Sequence, residues 1–195
     1  MKIIGISGAA RSGKDTFADC LIDVLKERGI KAKKISFANQ LKIEVKEFLE
    51  KTLGIDSFTQ DDEEKKIIRP FLVTWGTEVR RKQNPNVWID HLESTLESDC
   101  VNIVTDVRFE NEMDWVKSFD GYSIFISRVL KDGSVVPPAN ETERENNGLL
   151  ISKSDFNISW NTVDNLDWLT AVAYEALYNT VPEKEIELWT QTCRL

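Results

Sequence analysis

The stretch Gly8-Ala9-Ala10-Arg11-Ser12-Gly13-Lys14-Asp15-Thr16 constrains this chain more than any other. The apolar run Ile3-Ile4-Gly5-Ile6 precedes it, and Phe17, Leu21, Val24 and Leu25 follow at the spacing of a helix that buries one face. Strand, glycine-rich loop and helix in that order make a phosphate-binding loop (P-loop). Its backbone amides and the positive end of the helix cradle a di- or triphosphate, and Lys14 reaches the outer phosphates. Gly8, Arg11, Ser12, Gly13, Lys14, Asp15 and Thr16 are therefore the expected nucleotide contacts. One position departs from the usual pattern, because Asp15 stands where Ser or Thr normally ligates magnesium. Its carboxylate lies in the first helical turn, where the dipole favours negative charge. It serves there as a helix N-terminal residue only, or holds magnesium directly or through water. Thr16, about 100° further round the helix, is the other candidate.

The rest of the chain alternates strand and helix patterns. Arg28-Gly29 closes the first helix, Lys34-Ile35-Ser36-Phe37 reads as a second strand, and Leu41, Val45, Phe48 and Leu49 mark a helix ended by Gly54. Positions 57–66 are almost wholly polar, a solvated loop and helix start or else a mobile flap. Ile67, Ile68, Phe71, Leu72 and Trp75 resume helical spacing, and a further helix carries Trp88, Leu92 and Leu96. Val101-Asn102-Ile103-Val104-Thr105 is the clearest later strand, running into Asp106-Val107-Arg108 and a helix with Phe109, Met113 and Val116. After the strand Tyr122–Ser127, segment 129–154 reads as loop, with turn signals at Asp132-Gly133, Pro137-Pro138 and Asn146-Asn147-Gly148. A last strand, Phe156–Trp160, leads to a helix with Leu166, Leu169, Ala173 and Leu177. Such alternation predicts an α/β fold with a mostly parallel sheet of about five strands, covered by helices on both faces. Ligands of such sheets bind beyond the carboxyl ends of strands. The P-loop, Asp106-Val107-Arg108 and Arg128 all hold that position and are expected to converge.

Asp106 and Arg108 leave a hydrophobic strand on one side of the extended chain. Asp106 would order magnesium or accept a hydrogen bond from a sugar or base. Arg108 would bind a phosphate through its planar fork, the alternative being a surface ion pair. Arg69, Arg80, Arg81, Arg128 and Arg144 are further phosphate candidates. Phosphoryl transfer relies on positioning and charge neutralisation, which several converging arginines provide. Trp75 and Trp88 sit on apolar helical faces, as core packing or as base-stacking surfaces.

Other chemistries are excluded. There is no Gly-x-Ser-x-Gly and no Cys/His pair for hydrolysis, and no Asn-Lys-x-Asp segment of the kind a GTPase uses to read its base. With a single histidine, His91, a His/Cys zinc site is ruled out. The three scattered cysteines, Cys20, Cys100 and Cys193, read as buried thiols without a redox role. A net charge of −8 argues against a surface that tracks DNA or RNA. The 195-residue length suits one core with inserted subregions. The absence of a membrane-length apolar run or a leader predicts a cytoplasmic protein that engages no membrane.

These residues resemble the bacteriophage deoxynucleoside monophosphate kinases, a branch of the P-loop nucleoside monophosphate kinases. The likeness rests on Arg11-Ser12-Gly13-Lys14-Asp15-Thr16, with its unusual aspartate. It continues through Phe37-Ala38 with Leu41-Lys42, Arg69, Trp75-Gly76-Thr77-Glu78, Asn86-Val87-Trp88, Asp106-Val107-Arg108 and Asn140-Glu141-Thr142-Glu143. The resemblance implies a three-layer P-loop kinase fold with a helical substrate-binding insertion at 38–100 and a lid-like segment at 129–154. It implies transfer of the ATP γ-phosphate to a deoxynucleoside monophosphate, with magnesium held by Asp15, Thr16 or Asp106, in deoxynucleotide biosynthesis. Lys14, Arg108 and Arg128 would be catalytic. Phe37, Ala38, Lys42, Arg69, Gly76, Thr77, Trp88, Asp106, Arg108 and Glu143 would hold the monophosphate. A phage source would place the protein in the host cytoplasm, and the resemblance leaves a homodimer open. Asn140 departs from the histidine that many relatives carry, and the segment after Pro182 has no counterpart. The alternatives are a P-loop kinase of another small phosphorylated acceptor, such as phosphomevalonate or dephospho-coenzyme A, and a non-catalytic ATP-binding regulator.

Overall fold

The computed structural model describes residues 1–161 and 166–195 and divides into two compact units, Met1–Ile35 with Leu96–Leu195, and Ser36–Thr95. The first unit is built on five strands: β1 (Lys2–Ser7), β2 (Ala32–Ile35), β3 (Val101–Val107), β4 (Tyr122–Arg128) and β5 (Phe156–Trp160). Their order is β2-β3-β1-β4-β5, and every pairing is parallel. The expected α/β fold with a parallel five-stranded sheet is therefore present. β1 is buried almost throughout because both of its faces are covered.

Alternation along β1 assigns the two faces. Ile4 and Ile6 enter a core shared with Phe17, Leu21 and Leu25 of α1 (Lys14–Glu27) and with Leu169, Ala173 and Leu177 of α7 (Leu166–Thr180). The side chain of Leu166, expected on that same stripe, lies outside the described residues. On the opposite face a Cβ at Gly5 would meet Val116 of α5 (Glu110–Ser118) at 3.1 Å. α6 (Glu141–Lys153) packs beside α5. Helix, sheet and helix make three layers. α8 (Glu183–Thr192) adds Ile186 and Trp189 to the first core, and Cys193 follows them into it. All three cysteines are buried and free.

The second unit is helical: α2 (Phe37–Leu53), α3 (Asp62–Val73), a π-helical stretch at Thr74–Arg81, and α4 (Val87–Glu93). Its core is Val45, Leu49, Ile55 and Ile68, with Leu41, Phe71, Leu72 and Trp75 packed against it. Asp61 caps α3 by accepting from the Glu63 and Glu64 amides, both at 2.9 Å. The polar stretch 57–66 is thus a loop and helix start.

Four expectations change. The helix expected to carry Trp88, Leu92 and Leu96 is α4, which ends at Glu93, so Leu96 lies beyond it. The second strand ends at Ile35, and Phe37 opens α2 after the extended Ser36. Segment 129–154 is not all loop: α6 fills 141–153, with Asn140 Oδ1 accepting from the Glu143 amide at 2.9 Å as its cap. Asn146-Asn147-Gly148 lies within that helix, where packing outweighs local turn preference. Phe48 is exposed rather than core, and stacks on Phe71 with ring centroids 5.3 Å apart. Among the described residues no helix is long and apolar enough to cross a membrane.

Candidate active site

The loop between β1 and α1 has a backbone that its sequence dictates. Gly8 has φ +138°, and a Cβ there would lie 2.2 Å from the Ile126 carbonyl oxygen. Only glycine fits so close an approach. Gly13 caps α1 at φ 93°, and a Cβ would meet the Trp160 ring at 2.8 Å. Between them Arg11 is held at φ 63°, a left-handed conformation that non-glycine residues rarely adopt. Trp160, at the end of β5, braces this turn from below: its Nε1 donates to the Ser12 carbonyl at 2.8 Å, and its ring packs on Phe17. The Ser12 hydroxyl is buried and has no hydrogen-bond partner.

Lys14 is 7% exposed and donates from Nζ to the Gly8 carbonyl at 2.9 Å and the Ala9 carbonyl at 2.7 Å. Burial, and next the neighbouring Arg108 guanidinium, pull its pKa down to about 8, against the opposing pull of Glu143, Asp15 and Asp106. A buried cation at the positive end of a helix is poised for an anion. The loop therefore gathers a phosphate-binding set around one underused ammonium.

β3 and α6 bring two more charged groups to the loop. The Arg108 Nη1 donates to Glu143 Oε1, while Glu143 Oε2 accepts from the Ala10 amide at 3.2 Å and the Ala139 amide at 2.9 Å. Glu143 is 3% exposed. Burial opposes its charge, yet the Ala139 amide, the Arg108 guanidinium and the Ala10 amide hold its carboxyl below the usual range. Glu112 accepts from the Arg108 and Phe109 amides at 2.7 and 3.0 Å, which fixes the chain where it leaves β3. Arg128, at the end of β4, donates to the Arg11 carbonyl at 3.4 Å. The expected convergence of the P-loop, Arg108 and Arg128 at the carboxyl ends of β1, β3 and β4 is present within this unit. Asp106 is half-buried in β3, and Asp15 and Thr16 are exposed in the first turn of α1.

The other expected site residues belong to the helical unit. Phe37, Ala38 and Lys42 lie in the first turns of α2, with Lys42 Nζ 5.5 Å from the Phe58 ring centroid. Arg69 is exposed on α3. Gly76 and Thr77 lie in the π-helical stretch, and a Cβ on Gly76 would meet Leu41 at 3.0 Å. Trp88 is buried and its Nε1 donates to the Gly76 carbonyl at 3.3 Å, so core packing accounts for the ring. Arg80 pairs with Glu44 at 2.9 Å, and Trp75 Nε1 donates to the same carboxylate at 2.8 Å. Arg81 donates to the Pro85 carbonyl at 3.2 Å. Arg144 is exposed and pairs with Glu141. The role of Trp160 was missed from the sequence: it looked like the end of a core strand, and nothing local tied it to position 12.

A family model described as phosphomevalonate kinase matches residues 6–121. A protein of Acanthamoeba polyphaga mimivirus, provisionally named a deoxynucleotide monophosphate kinase, is 31% identical over 150 residues, spanning 66% of this chain and 75% of that one. Among solved structures, the Mycobacterium tuberculosis APS kinase CysC in complex with AMPPNP and APS aligns over 91% of this chain and 96% of its own, with 14% identity and a TM-score of 0.41. Shikimate kinase from Bacteroides thetaiotaomicron aligns over 90% and 96%, with 11% identity and a TM-score of 0.46.

Proposed function

We propose that this chain, a P-loop kinase that belongs to the phosphomevalonate kinase family, transfers the γ-phosphate of ATP to a deoxynucleoside monophosphate. The observation that carries the donor half is the strained loop with Lys14 parked on its own carbonyls beside Arg108 and Arg128. Phosphates entering the loop would take over the ammonium and the helix N-terminal amides. Lys14, Arg108 and Arg128 are the groups that would neutralise charge on the moving phosphoryl. The 31% identical viral relative and its provisional name support the deoxynucleotide acceptor. Phe37, Ala38, Lys42, Arg69, Gly76 and Thr77 would hold the acceptor, with Trp88 holding the Gly76 backbone in place. A π-helical stretch, uncommon in proteins and frequent at functional sites, favours that part of the chain.

Among the described residues no three acidic, histidine or cysteine side chains cluster as a metal cage. That suits magnesium, which keeps its waters and rides on substrate phosphates with one or two carboxylates. Asp15 and Asp106 are the carboxylates, and Thr16 the hydroxyl, that would meet it, and the ion would spread the charge of the transferred group.

The second reading is a different small phosphorylated acceptor, which the name of the family model favours. A panel of ribo- and deoxynucleoside monophosphates of each base, alongside phosphomevalonate and dephospho-coenzyme A, separates the two by ADP release. At least one deoxynucleoside monophosphate is expected to support turnover. Turnover with phosphomevalonate or dephospho-coenzyme A alone would overturn the proposal.

Lys14 also gives nucleotide binding a proton signature. With a pKa of about 8, much of it is neutral in the free protein at pH 8.5, and bound phosphates favour the ammonium. ATP binding is expected to take up part of a proton at pH 8.5 and almost none at pH 6.5. Calorimetric titrations in buffers of different ionisation enthalpy measure this. Equal uptake at both values would contradict the assignment.

A further inference from the structure

We infer that Glu143 is a positioning residue that holds Arg108 against the phosphate loop, not a contact for the acceptor. This deepens the phosphotransferase reading and rests on it. The geometry is a buried carboxylate shared by three parts of the chain. One oxygen takes the Arg108 Nη1, and the other takes the Ala10 amide of the loop and the Ala139 amide ahead of α6. Asn140 fixes the backbone at Glu143 by accepting from its amide. At 2% side-chain exposure the carboxylate has almost no surface left for a ligand, whereas Arg108 keeps 34% of its side chain open. An ion pair of this kind, fastened at one end by two backbone amides, defines the direction of the guanidinium rather than neutralising it from bulk solvent. A guanidinium carries five N–H donors, so the bond to Glu143 leaves Arg108 able to meet a phosphate. Glu143 thereby ties α6, the end of β3 and the P-loop into one charge arrangement. Misplacing a phosphate-binding group by about 1 Å costs on the order of 100-fold in rate.

The test uses the full chain with ATP, magnesium and the acceptor that wild type turns over best. Glu143→Gln keeps the shape but loses the charge. It is expected to lower kcat by roughly 100-fold while KM for the acceptor and Kd for ATP each move by less than about 3-fold. In an Arg108→Ala background, itself expected to lose far more turnover than ATP affinity, adding Glu143→Gln should change little, because Glu143 acts through Arg108. Glu143→Asp keeps the charge with a shorter reach and should recover only part of the loss. A raised acceptor KM with unchanged kcat would overturn the inference in favour of direct binding. A full further loss in the Arg108→Ala background would overturn it in favour of general structural support. If wild type turns over no acceptor, the phosphotransferase reading fails by itself. Glu143 is then judged by amide NMR: Ala10 and Ala139 should shift together in Glu143→Gln, and again in Arg108→Ala. Shifts in Glu143→Gln alone would overturn the coupling. Should Glu143→Gln fail to fold, the same readouts apply to Glu143→Asp.

Discussion

Lys14→Met is expected to lower phosphate transfer by about 1,000-fold or more while raising the melting midpoint of the ligand-free protein. The loss follows from removing a buried cation that reaches into the loop, where a preorganised charge acts in low dielectric. The gain follows from the direction of its pKa. In the fold Lys14 titrates at about 8, below its value of 10.5 in the unfolded chain, so the ammonium is worse off folded. That gap is a stability cost on the order of 3 kcal/mol at neutral pH. It shrinks as pH rises from about 8 toward 10.5, because the folded chain then holds fewer protons than the unfolded one. Methionine fills similar volume without the charge. Its advantage should therefore be largest near pH 7, by roughly 6–12 °C, and fade in alkaline buffer. Thermal melts of both proteins across pH measure this. A variant that melts lower than wild type at pH 7 would mean that the bonds to the Gly8 and Ala9 carbonyls outweigh the burial of the charge. Strain retained at a binding loop is what a site that trades stability for function should show.

Gly8→Ala should be the most damaging single-methyl change in the chain. The new Cβ would sit 2.2 Å from the Ile126 carbonyl oxygen, which is backbone of a buried strand and has no room to retreat. It would also meet the Ser12 hydroxyl at 2.9 Å, and φ +138° is unsuited to any side chain. Strain and displacement together are expected to cost about 3 kcal/mol or more, or roughly 6–12 °C in the midpoint. The surviving fold should lose ATP binding, because the amides of the loop would no longer converge. Gly29→Ala is the control, with φ +71° and nothing within 4 Å of the added atom. It carries only the left-handed penalty of about 1 kcal/mol and should bind ATP normally. Equal losses in the two variants would show that backbone conformation, not the contact with β4, sets the requirement at Gly8.

The sequence made the sheet and the donor loop legible because each depends on local pattern. Short apolar runs separated by amphipathic helices admit few parallel topologies, and the glycines at 8 and 13 mark positions that only one backbone can satisfy. What escaped depends on contacts distant in sequence. α6 was hidden because Asn146, Asn147 and Gly148 favour turns locally, and its first turn is stabilised by docking Glu143 on Ala10 and Arg108. The role of Trp160 rests on a bond spanning 148 residues. α8 was readable in principle: Ile186, Trp189 and Cys193 fall on one helical stripe, and all three are buried. The π-helical stretch at Thr74–Arg81 left no sequence signal that differs from an ordinary helix. The family match carries the name phosphomevalonate kinase, an acceptor class that the sequence reading held only as an alternative.

With Lys14 in the loop and Arg108 and Arg128 beside it, the γ-phosphate of ATP is proposed to pass to a deoxynucleoside monophosphate. Incubating the protein with ATP labelled in its γ-phosphate, magnesium and each deoxynucleoside monophosphate tests this atom by atom. Label is expected in the deoxynucleoside diphosphate, appearing at the rate at which ADP forms and lost in Lys14→Met. Label that stays in ATP, or leaves only as inorganic phosphate with every base, would contradict it.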